Sequence, residues 1–146
     1  MIKRKSKRQV QGFTLLELLL VLAILAGAGF VLIIKLPVQA QSQSLTLTST
    51  QLLAEIRDAR QAAMSENTWY QVKFYYEPKY YRIMRQGVLV KQIELEKGIV
   101  FGNKPPDLTF SATGTPSVGM TILLETAAGE QKKVIVAPVT GRIREE

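Results

Sequence analysis

The apolar positions of the chain change their spacing twice along its length. From Phe13 to Ile34, 22 residues, only Glu17 is charged. As a helix this run would be about 33 Å long, enough to cross the apolar core of a bilayer. It is apolar on every side, unlike the one-sided stripe of a helix that packs on a soluble core. Next, Leu45, Leu52, Ile56, Ala59 and Ala63 recur at steps of seven, four, three and four. That spacing marks one face of a helix. It predicts a helix over about 42–65, continuous with the first, with Glu55, Arg57, Asp58, Arg60 and Gln61 on its other sides. Ala59, Ala62 and Ala63 would let a sheet approach closely.

After Asn67 the spacing becomes two. Tyr70, Val72, Phe74 and Tyr76 alternate with Gln71, Lys73 and Tyr75, the pattern of a half-buried strand. Glu77-Pro78-Lys79 reads as a turn, and "YYRIMR" as the returning strand of a hairpin. Further strand patterns follow in "GVLVKQIEL", "GIVFGN", "DLTFSA", "MTILLET", "KKVIVAPV" and "GRIREE". The pair flanking Ala127-Ala128-Gly129-Glu130 reads as a second hairpin. The expected fold class is α+β: a long N-terminal helix packed on a C-terminal antiparallel β-sheet or sandwich. The segments would be a basic leader over 1–12, an apolar helix over 13–35, an amphipathic helix over 36–66 and a β-rich domain over 67–146.

Charge sharpens this division. The chain carries +7, but Lys3, Arg4, Lys5, Lys7 and Arg8 all precede the apolar run. Without those five, fourteen basic residues face twelve acids, a net of +2. The basic character is therefore a poor argument for a nucleic-acid partner. Placed before a membrane helix, it instead holds the N-terminus in the cytoplasm and puts the C-terminal domain outside. There is no cysteine and no histidine. Disulfides and thiolate sites are excluded, and so are the commonest general base and metal ligand. No catalytic, metal or cofactor site is expected.

Glu17 is the anomaly, because an acid in an apolar helix is costly. Three readings compete. In a secretory signal peptide, Val38-Gln39-Ala40 would be the cleavage site and the product would begin at Gln41. A plain signal anchor would keep the whole run. Neither accounts for Glu17. If the chain is cut between Gly12 and Phe13, however, Glu17 becomes the fifth residue of the new N-terminus. An ammonium from a neighbouring helix could then pair with it, and the helix dipole would favour it.

A short basic leader, then "GFTLLE", then an apolar helix resembles the processing motif of type IV pilins and type II secretion pseudopilins. The resemblance implies a pilin-like fold and a prepilin peptidase that cuts between Gly12 and Phe13 and methylates Phe13. It implies that Glu17 sets subunit register in a filament. It also implies other pilin or pseudopilin subunits, an inner-membrane platform protein and an assembly ATPase as partners. Many pilins have a proline where Ile34 stands here; the nearest is Pro37. Gly27, Ala28 and Gly29 could supply a soft point instead. Towards the C-terminus, Phe110, Gly114, Gly119 to Ile122 and Gly141-Arg142 resemble the closing region of H-type minor pseudopilins and of a related competence pseudopilin. Gly119-Met120 departs from the paired glycine of that pattern.

The remaining candidate chemistry is a set of aromatics, Trp69, Tyr70, Tyr75, Tyr76, Tyr80 and Tyr81, among Lys73, Lys79, Arg82 and Arg85. Such a mixture can stack and neutralise single-stranded nucleic acid, but it also pairs strands. Trp69, Tyr76 and Arg82 stand for this interaction surface, with DNA or secreted cargo as the alternative partners. The glycines lie between strands in no phosphate-binding spacing. Glu94 and Glu96 share a strand face without an evident partner group.

Overall fold

The computed structural model describes residues 14–146, without the side chains of 27–39. The leader, Gly12 and Phe13 lie outside the described residues. The chain divides into two units, one up to Pro37 and one from Val38 to Glu146. Helix α1 spans Leu15–Ser65. Its backbone is helical through Leu36–Ala40, which the sequence marks as a juncture. Among the described residues, no helix is long and apolar enough to cross a membrane. The apolar run of 13–35 extends past Leu25 into positions whose side chains lie outside that description.

Both ends of α1 are closed by local hydrogen bonds. At the start, Thr14 Oγ1 accepts from the Glu17 backbone N–H at 3.3 Å. At the end, Asn67 adopts a left-handed φ of 49°. The Thr68 N–H then reaches Ala63 O at 3.1 Å, and the Asn67 N–H reaches Met64 O at 3.4 Å. This is the double-bonded stop that a left-handed residue permits after a last helical turn, and Asn tolerates that conformation.

Eight strands follow among the described residues: β1 (Tyr70–Tyr75), β2 (Tyr80–Arg85), β3 (Val88–Glu94), β4 (Ile99–Phe101), β5 (Leu108–Phe110), β6 (Met120–Thr126), β7 (Gln131–Val136) and β8 (Ile143–Glu145). They form two four-stranded sheets, ordered β3-β2-β1-β5 and β4-β6-β7-β8. All pairings are antiparallel. The expected sandwich is present, and the hairpins fall at Glu77-Pro78-Lys79 and Ala127–Glu130 as the turn residues predict.

The helical face and the alternating strands meet in one core. Leu45, Leu52, Ile56, Ala59 and Ala63 of α1 are all buried, with Tyr70, Val72 and Phe74 from β1 and Ile122, Leu124, Val134 and Val136 from the other sheet. Phe74 meets Phe101 edge to face across the sheets at 5.7 Å. Polar clips then fix α1 to both sheets. Glu55 pairs with Lys91 of β3. Glu66, just beyond the helix, holds Arg85 of β2 at 2.7 Å. Buried Ser49 donates to Glu145 of β8 at 2.7 Å, and Lys132 approaches the same carboxylate at 2.6 Å.

Candidate functional site

The N-terminal motif has a local structure that explains part of the Glu17 anomaly. Thr14 caps α1 and Glu17 occupies the third helical position, the spacing of a capping box. An acid there faces the unpaired N–H groups of the first turn, where negative charge is stabilising. The signal was readable as T-x-x-E before an apolar run, but the sequence reasoning passed over Thr14. Beyond Glu17, Leu18, Leu19, Leu20, Val21, Leu22, Ile24 and Leu25 are all exposed, each by 43% or more. Apolar surface on every side of this stretch is thus left without a partner among the described residues.

The structure sets Trp69, Tyr76 and Arg82 in three different places. Trp69 precedes β1 and is 40% exposed, beside Gly87. Tyr76 lies at the opposite end of β1. Its ring packs edge to face on Phe101 at 5.8 Å, and its hydroxyl donates to Pro105 O at 2.8 Å. Burial, with the nearby Asp107 charge, pushes that hydroxyl's pKa up. Arg82 lies on the outer face of its sheet, 5.1 Å from the ring centroids of both Tyr75 and Tyr80. Those rings stack at 4.5 Å across the hairpin, and Arg82 Nε donates to Gln92 Oε1 at 2.8 Å. The unit on this face is therefore Tyr75–Tyr80–Arg82, assembled from a cross-strand pair and a cation. Glu94 and Glu96 are both exposed.

Two further surfaces were not marked by the sequence. Edge strand β3 exposes Val88, Leu89 and Val90 in succession beside an irregular register with β2. An open cleft of about 480 Å³ lies between α1 and the approach to β8, bordered by Arg57, Asp58, Arg60 and Arg142. Among the described residues, no cluster of three or more carboxylates, histidines or cysteines could hold a metal ion.

Residues 7–26 match the prokaryotic N-terminal methylation motif. No curated protein matches the sequence. The structure is similar to that of the minor pseudopilin EpsH from the type 2 secretion system of Vibrio cholerae, with a TM-score of 0.60 at 13% identity. The similarity covers 70% of this chain and 96% of that one. The chain thus joins a methylation motif to the fold of that pseudopilin. Positions 15–26 of the matched motif form the first turns of α1, and the two sheets pack against its second half. Glu17 falls inside the matched motif, whereas Tyr75, Tyr80 and Arg82 belong to β1 and β2.

Proposed function

We propose that the protein is a minor pseudopilin subunit, assembled into a type II secretion filament or a related competence or type IV pilus filament. The observation that carries this reading is the methylation motif over residues 7–26 joined to a pseudopilin fold. In this reading the basic leader keeps the precursor's N-terminus in the cytoplasm and its head outside. A prepilin peptidase cuts between Gly12 and Phe13 and methylates Phe13. A platform protein and an assembly ATPase then drive the subunit from the membrane into the filament.

The physical mechanism is an exchange of surroundings for the apolar helix. The leucines that project from α1 move from lipid into contact with the helices of other subunits. Apolar surface gains little from that exchange alone, because lipid tails are as apolar as leucine. Specific pairing must set the register, and Glu17 is suited to it. Glu17 stands four residues along the sequence from the free amine that cleavage would create, and the same amine on a neighbouring subunit is its natural partner. The head carries no catalytic role in this reading; it decides what the filament touches.

The test is the intact mass and N-terminal residue of the protein produced together with a prepilin peptidase. The expected product begins at a methylated Phe13, and Gly12→Val leaves the precursor uncut. A product beginning at Gln41 would overturn the reading, since it would sever α1 and discard Glu17.

A further inference from the structure

We infer that the cleft beside β8 recognises a carboxylate presented by another protein chain of the assembly; this inference rests on the filament reading above. Arg57 and Arg60 lie one turn apart on α1, and each is held by backbone carbonyls from distant parts of the chain. Arg57 Nη2 donates to Ile143 O at 2.9 Å. Arg60 donates through Nε to Gly114 O at 3.0 Å and through Nη2 to Thr140 O at 3.1 Å. A guanidinium has five N–H donors, so both retain spare ones in positions already fixed by the fold.

The backbone is shaped around this arrangement. Gly141 has a φ of 61°, and a Cβ there would lie 2.9 Å from both Arg60 Nε and Gly114 O. Any side chain at 141 would displace the guanidinium. Arg142, the next residue, is exposed and borders the same cleft. Among the described residues, none of the three arginines makes an ion pair. Asp58 is the acid that lines the cleft. Three arginines less that aspartate leave +2, which equals the net charge of the whole chain outside its leader.

Two guanidinium groups fixed by backbone carbonyls, with an exposed third beside them, are suited to a planar oxyanion, because their forked donors match the two oxygens of a carboxylate. Asp58 at the border opposes a doubly charged phosphate or a polyanion more than a single carboxylate. A glutamate or aspartate side chain on a neighbouring subunit satisfies both conditions.

The test follows arginine Nε–H signals of the isotopically labelled full-length chain in detergent micelles. The probes are a short peptide with two glutamates, acetate and inorganic phosphate. The expected result is saturable movement of the Arg57, Arg60 and Arg142 signals, with the peptide binding more tightly than either small anion. Arg142→Gln should weaken the peptide by about tenfold. Its guanidinium has no hydrogen bond or ion pair among the described residues, so unfolding followed by Trp69 fluorescence should not change. Equal binding of peptide and phosphate would overturn the protein partner, and unmoved arginine signals would overturn the site. The titration reads the cleft alone, and the N-terminal mass reads processing alone, so the two readings fail separately.

Discussion

Leu18 and Leu52 belong to the same helix and have opposite fates. Leu18 is 56% exposed, whereas Leu52 is fully buried against the sheets. Positions 15–25 of α1 present leucine, isoleucine and valine on all sides. The second half buries one apolar face, Leu45, Leu52, Ile56, Ala59 and Ala63, leaves Leu47 outside it, and uses Ser49, Glu55, Arg57 and Arg60 for contacts with strands and loops. The contrast separates two uses of one element. Where the period is 3.6, the chain supplies its own partner surface. Where every position is apolar, the partner must come from outside, whether lipid or other helices.

The strongest way to break this contrast is to truncate a leucine in each half. Leu52→Ala should cost about 2–5 kcal/mol of head stability, because its buried site can close only in part. Leu18→Ala should change head stability by less than about 0.5 kcal/mol. Urea unfolding of the full chain in detergent, followed by Trp69 fluorescence, reports both. A large loss from Leu18→Ala would mean that the two halves are not independent.

A smaller effect tests how the second half is held. Gly141→Ala must adopt a left-handed backbone and push against Gly114 O and Arg60. The expected loss is roughly 2 kcal/mol. Gly129→Ala meets open space at a similar φ of 85°, so only the backbone contribution, about 1 kcal/mol, should appear. Equal losses would show that Arg60 is not locked by the close approach at Gly141.

The smallest expected effect is one of pH. Burial tends to raise the pKa of Glu145. Hydrogen bonds from Lys132 and Ser49, with the lysine's charge, outweigh burial and hold the carboxyl below its ordinary range. A carboxyl whose pKa is lower when folded stabilises the fold above its unfolded value, near 4.3. That contribution is lost as pH falls through the folded value. Head stability should therefore decline below about pH 4, and Glu145→Gln should flatten that part of the profile. An unchanged acid limb in the variant would assign the decline to other carboxylates.

The parts of the fold that depend on period were legible in advance. The buried face of α1 and the strand patterns follow directly from which side chains must leave water. The arginine cleft was not legible, because Arg57 and Arg142 are joined only by the fold and each looks like an ordinary solvated charge. Tyr76 shows a subtler limit. The alternation that buries Tyr70, Val72 and Phe74 also turns Tyr76 towards Phe101, yet its composition suggested a surface. The capping role of Thr14 was present in four letters and needed only the question of where the first N–H groups of α1 find acceptors.

Ser49 and Glu145 are 96 positions apart. Their hydrogen bond joins the second half of α1 to β8, and Lys132 brings β7 to the same carboxylate. One acidic side chain thus ties together a helix and two strands that are distant in sequence. Loss of β8 would unfasten the helix and bare the β7 edge at once, so a protease that clips this strand should loosen both in a single event.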